Sequence, residues 1–188
     1  MLLITFVMIG TGESEHPPEA AAADTSSTTT STPAPTVQTT VVNVQLAVAE
    51  VRASSSFNDQ LGPHNLVDGD ATTYWNDASA QGVGAELTFV FDEPAMVAEV
   101  VVRNVADTTA FTRNYRVRGY EILVGGVPVA TGELADTQDP QRITVAMPTT
   151  ATEVTFRVTS TFAGTAVGDL VAFNELAIAE IEFYGMTS

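Results

Sequence analysis

The sequence predicts an all-β protein: a jelly-roll sandwich of about eight strands behind a disordered stalk. Three observations carry that prediction. From Val41 onward the chain consists of short β-branched runs separated by turn residues. Several of these runs alternate strictly between apolar and polar residues, the period of a half-buried strand. No segment holds a convincing helical period, and short strands at regular spacing are the mark of a sandwich or jelly roll.

In chain order, MLLITFVMIG opens the sequence as a mostly apolar run of ten residues without a basic flank. That is about half of what a spanning helix needs, and it lacks the charged region and cleavage site of a secretory signal. Residues 1–10 are therefore read as the tail of a membrane segment, or as a signal whose start lies upstream. Residues 11–41, from TGESEHPPEAAAADTSSTTTSTPAPTVQTT, hold almost nothing that could be buried. Such a segment makes an extended spacer rather than a core. The folded domain is expected over residues 42–188.

Within it, QLAVAEV, ELTFVF, MVAEVVVRNV, RGYEILV, VPVATGEL, RITVAM, TEVTFRVTST and LAIAEIEFYG read as strands. Leu87, Phe89 and Phe91 share one face, as do Val154, Phe156 and Val158. RGYEILV and VPVATGEL form a hairpin turned at Gly125-Gly126. The last run changes phase: Leu176 and Ile178 point one way, Ile181 and Phe183 the other. A bulge near Ala179-Glu180 would return all four to the core, because one extra residue resets the alternation.

Composition removes several functions. The chain has no cysteine and no lysine, so disulfides, thiolate metal sites, a lipid-modified cysteine and a catalytic Schiff base are excluded. All seven basic residues are arginine and the net charge is −16. A body this acidic is repelled by nucleic acid and by anionic lipid. With no G-x-S-x-G, H-E-x-x-H or phosphate loop, no catalytic residue is assigned and the chain is read as a non-enzyme.

The most specific stretch is NLVDGDATTYW, residues 65–75. Asp68-Gly69-Asp70 puts two carboxylates on a tight turn, and Thr73 adds a hydroxyl. Calcium takes six to eight hard oxygens of this kind, main-chain carbonyls included. Asn65, Leu66 and the bulged last strand, with Glu180, would complete a shell. An EF-hand is excluded by the spacing. In isolation the motif reads more readily as a solvated turn.

Its setting is more informative. PHNLVDGDATTYW, QGVGAELTFVF, DEPAMVAEVVVRN, RNYRVRGYEI and FNELAIAEIEFYG follow one another in an order that resembles the discoidin, or coagulation-factor type C, superfamily. The likeness is closest to the type C domain of bacterial NAD glycohydrolase translocation. The resemblance implies a galactose-binding-like jelly roll whose Asp-Gly turn meets the last strand at a structural calcium ion. Carried over by position, Asp68, Asp70, Thr73, Ala179 (by its carbonyl) and Glu180 would be the metal ligands. It also implies that Trp75 is buried. His64 has no evident role and reads as a loop residue.

Ligands in the resembled superfamily are gripped by loops at one end of the sandwich. The ring candidates here are Phe57, Phe111, Phe162 and Phe173; the polar candidates are Asn76, Asp77, Arg113 and Asn114. Each phenylalanine has packing between loops as its plainer role. Tyr115 and Arg116 read as framework, with Glu121 or Asp136 as a partner for Arg116 or Arg118. The expected function is a non-catalytic binding module displayed at a bacterial cell surface, with a glycan as its ligand. The alternative is an interaction domain for a cell-envelope or host surface protein.

Overall fold

The structure is a computed structural model that describes residues 43–187, so the expected apolar segment and stalk lie outside the described residues. Nine strands and one short helix follow in order: β1 (Val44–Gln45), β2 (Val48–Ala53), β3 (Trp75–Asn76), β4 (Glu86–Arg103), α1 (Thr108–Arg113), β5 (Arg116–Val124), β6 (Val127–Glu133), β7 (Gln141–Phe162), β8 (Ala177–Ile178) and β9 (Glu180–Thr187). Every named pairing is antiparallel. This is the expected β-sandwich.

Two long bent strands build both layers. The first half of β4 pairs with β2 and with the second half of β7, which continues to β5 and β6. The second half of β4 pairs with β9 and with the first half of β7, and β9 carries β1. Register shifts between Val90 and Ala95, and between Val97 and Glu99, mark where the ladder turns the corner. Bulges of this kind bend a strand and increase its twist. Four expected strands are thus two: ELTFVF and MVAEVVVRNV form β4, and RITVAM and TEVTFRVTST form β7.

The core lies between the layers. Leu87, Phe89, Phe91, Val154, Phe156 and Val158 are buried, as their alternation requires. Phe89 and Phe91 of β4 meet Phe183 of β9, with ring centroids 4.8 and 5.5 Å apart. Aromatic pairs at such distances and tilts contribute about 1 kcal/mol beyond the area they bury.

The phase change in the last run is resolved by a break. β8 ends at Ile178, Ala179 stands outside the ladder with its N–H donating to the Arg103 carbonyl (3.0 Å), and β9 begins at Glu180. β8 pairs with β3 while β9 pairs with β4. Leu176, Ile178, Ile181 and Phe183 are all buried as a result.

Helical structure departs from the sequence reading. The loop ADTTAFTRNYR contains α1, capped by Asp107, whose carboxylate accepts from the Ala110 N–H at 2.7 Å. Two 3-10 turns, Asp59–Leu61 and Pro63–Leu66, lead into the Asp-Gly turn. These elements are too short for a period to be legible in sequence.

Candidate functional site

Two groups of predicted residues come together, one around Glu180 and one at the loops. The first begins with the Asp68 turn. Gly69 has φ +76°, a left-handed conformation that costs a residue with a Cβ about 1 kcal/mol or more. The Asp68 carboxylate accepts from the Asp70 N–H (2.9 Å) and the Thr73 hydroxyl (2.8 Å). Asp70 accepts from the Thr72 N–H (2.9 Å) and hydroxyl (2.6 Å). Buried Asn65 donates to the carbonyls of Gln60 (2.9 Å) and Tyr74 (2.8 Å), fixing the turn's approach. Trp75 is fully buried beneath it, its indole N–H donating to the Ser55 carbonyl at 3.0 Å.

Glu180 reaches this turn from the first position of β9. It is buried, and its carboxyl meets that of Asp68 and the N–H groups of Gly69 and Asp70. One oxygen, Oε1, is buried without a hydrogen-bond partner. Burial first, and then the adjacent Asp68 carboxyl, push the Glu180 carboxyl up to about 7. Burial also acts against ionisation of Asp68. It is outweighed by the Asp70 N–H, the Thr73 hydroxyl and Glu180, so the Asp68 carboxyl is held below its ordinary value. The Thr72 hydroxyl and N–H lower Asp70.

The two carboxylates on which a bridging ion would depend are therefore side by side. Among the described residues no three His, Asp or Glu side chains form a metal cluster. A shell here would consist of two carboxylates, a hydroxyl and main-chain carbonyls, with Ala179 in the strand break beside them. Such hard oxygens suit calcium, whereas transition ions favour imidazole or thiolate. The orphaned Oε1 fits a cation, because an unpaired buried carboxylate oxygen is otherwise costly. A groove of about 620 Å³ opens on Glu180 between Leu46, Val67, Gly69, Arg103 and Phe183.

The second group is the loop pole. Phe57 is 55% exposed and Phe173 37%. Phe111 and Phe162 are half-buried beneath the guanidinium groups of Arg116 (4.9 Å) and Arg118 (5.8 Å), in the packing role. Arg113 lies over Phe173, 3.8 Å from the ring centroid. The three remaining polar candidates are turned inward. Asn76 donates to Asn114 Oδ1 (3.2 Å) and to the Leu176 carbonyl (3.0 Å), and Asn114 donates to the Ala110 carbonyl (2.9 Å). Asp77, fully buried, accepts from the hydroxyls of Ser55 and Ser79 and from the Ser79 N–H. These three hold the loops to one another. Buried Arg116 forms a bidentate pair with Asp136 (2.6 and 2.9 Å), whereas Arg157 takes Glu121.

Two exposed apolar residues of this pole, Leu170 and Val171, were not singled out from sequence; they are 48% and 72% exposed. Their signal is DLVAF, an apolar run without alternation in a glycine-containing loop. Among the described residues no helix is long and apolar enough to cross a membrane.

A bent two-layer sandwich, closed where an Asp-Gly turn meets the last strand, belongs to the discoidin-like class of galactose-binding-type domains. Within that class the chain belongs to the NAD glycohydrolase translocation F5/8 type C domain family, whose sequence profile matches residues 38–184. No curated protein matches the chain by sequence.

Solved structures share the fold. The family 32 carbohydrate-binding module of C. perfringens NanJ, in complex with galactose, superposes with a TM-score of 0.58 at 18% identity, covering 75% of this chain and 99% of that one. The family 32 module of AlyQ, in complex with 4,5-unsaturated mannuronic acid, gives 0.51 at 20% identity, over 74% and 97%. A pectin-binding carbohydrate-binding module gives 0.54 at 20% identity, over 73% and 91%. At these identities the likeness is one of fold.

Proposed function

We propose that this chain is a non-catalytic, surface-displayed binding module whose loop pole takes a glycan, braced by a calcium ion between the Asp68 turn and β9. Support for the glycan comes from the fold neighbours, two of which hold galactose and an unsaturated mannuronic acid while a third is a pectin-binding module. Support for the ion comes from the orphaned, buried Oε1 of Glu180 beside Asp68, the observation that carries the metal half of the proposal.

In this reading Asp68 and Glu180 supply carboxylate oxygens, and Thr73 and the Ala179 carbonyl complete the shell. The ion contributes stability by mass action, since only the native state presents the full set. In a chain without cysteine that tie replaces a disulfide. Arg113, Phe57 and Phe173 are the loop residues placed to meet ligand, on a rigid scaffold.

A glycan array probed at millimolar calcium tests the first half. Binding to one structural class of glycan is expected, and silence across cell-wall and host sugars refutes it. Exposed Leu170 and Val171, with the inward turn of Asn76, Asp77 and Asn114, favour a second reading in which the same pole docks a cell-envelope or host protein. Affinity capture of one protein, with the array silent, supports that reading.

A further inference from the structure

The seven arginines of the domain are not equivalent. Six form ion pairs: Arg52 with Glu50 and Glu153, Arg103 with Glu182, Arg116 with Asp136, Arg118 with Glu133, Arg142 with Glu99, and Arg157 with Glu86 and Glu121. Arg113 is the exception. Among the described residues no carboxylate pairs with it, although residues 43–187 carry nineteen acids against seven arginines.

Nor is Arg113 a loose surface residue. Its Nε donates to the Val171 carbonyl at 2.7 Å, its guanidinium lies 3.8 Å from the Phe173 ring centroid, and its own carbonyl accepts from the Phe173 N–H at 2.8 Å. Two contacts therefore hold the guanidinium itself, and the third ties its backbone to the segment that carries the ring. Its two terminal nitrogens meet no acceptor among the described residues. Of the acids in the adjoining chain segments, Asp107 caps α1 and Glu175 accepts from the Asn174 N–H at 3.0 Å.

A guanidinium held in plane, stacked on an aromatic ring and left with its outer edge free is prepared for two parallel hydrogen bonds to a carboxylate. The charge of the domain limits what kind of carboxylate. A polyanionic chain would feel the acidic surface along its whole length. A single carboxylate at contact feels mainly Arg113, because charges beyond about 8 Å are screened at physiological salt.

We infer that the loop pole recognises a glycan ending in one carboxylated sugar, with Arg113 as the residue that reads the carboxylate. This rests on the glycan reading above and narrows it. The exposed faces of Phe173 and Val171 are placed to pack against the sugar ring.

The test uses the full chain and three matched probes. They are a galactose-terminated oligosaccharide, the same oligosaccharide oxidised at the terminal C6 to galacturonic acid, and the methyl ester of that acid. Isothermal titration should give at least about tenfold tighter binding of the acid than of either neutral probe, a difference of about 1.4 kcal/mol. Arg113→Gln should abolish that preference while the melting temperature stays within a few degrees of the parent.

Equal binding of acid and ester by the unmodified protein overturns the inference, whether or not the variant folds, and leaves the glycan reading standing. A folded Arg113→Gln variant that keeps the preference overturns the role of Arg113. Silence with all three probes, alongside a silent array, overturns both readings together. Binding of an acidic peptide but of no acid sugar moves the site to a protein ligand and overturns this one.

Discussion

Replacing Glu180 by glutamine separates two effects of one buried carboxylate. In the metal-free domain Glu180 must ionise in a buried site against Asp68, and its pKa rises from 4.5 to about 7. At about 1.4 kcal/mol per pKa unit, the ceiling on that cost is about 3 kcal/mol. The groove that opens on Glu180 admits screening water, which leaves about 2 kcal/mol. The sign follows from linkage. Between pH 4.5 and 7 the folded state holds this proton and the unfolded state has released it. Metal-free stability must therefore fall as the pH rises through that window, and the contribution is gone above it.

Glutamine cannot ionise, and its amide can donate to Asp68. Above pH 7 the chelator-treated Glu180→Gln protein should exceed the parent by about 2 kcal/mol, or about 6 °C in melting temperature for a domain of this size. Calcium should invert the order. At a hundredfold excess over Kd the ion would stabilise the parent by about 2.7 kcal/mol, and Glu180→Gln should forfeit most of that. Thermal and urea unfolding followed by circular dichroism, across pH and with either chelator or calcium, reads both effects. A parent whose metal-free stability does not decline through the window, or a variant with the full calcium gain, refutes the reasoning.

Three further substitutions probe the frame. Trp75→Phe removes the indole beneath the Asp68 turn and strands the Ser55 carbonyl, at a cost of about 2–4 kcal/mol in urea unfolding. Asp136→Asn takes the charge from the partner of buried Arg116. Asp136 is 40% exposed, so the loss should be about 1–2 kcal/mol, read by thermal melting in low and high salt. Gly185→Ala would drive a Cβ into the Met96 carbonyl where β9 crosses β4, and should cost roughly 3 kcal/mol or prevent folding, read by chemical-shift dispersion and urea unfolding.

The strands that make the core were legible because their chemistry is local. Leu87, Phe89 and Phe91, like Val154, Phe156 and Val158, declare a face by alternation alone. The phase change between Ile178 and Ile181 located the strand break for the same reason. The continuity of β4 and β7 was hidden, because each changes register partway along and its two halves alternate as separate runs; Pro94 and Pro148 lie in the intervals where the register shifts. At the Asp68 corner 112 residues separate Asp68 from Glu180 and no local pattern joins them, so their pairing was suggested by the oxygen chemistry of the turn and the phase change of the last strand, and given its place by the family resemblance. At the loop pole, polar residues between strands read as candidates for meeting ligand. Asn76, Asp77 and Asn114 turn inward because each has a partner from a distant part of the chain: Leu176 for Asn76, Ser55 for Asp77 and Asn76 for Asn114. Arg113 was singled out only as one polar group among four. That no acid among the described residues pairs with it is a property of the folded arrangement.

The pairing of β1 with β9 has a directional consequence. Val44 lies opposite Gly185, near the end of β9 farthest from Glu180. The eight residues of β9 span about 26 Å at 3.3 Å each. Polypeptide arriving at Asn43 thus joins the domain at the end remote from the Asp68 turn and Glu180.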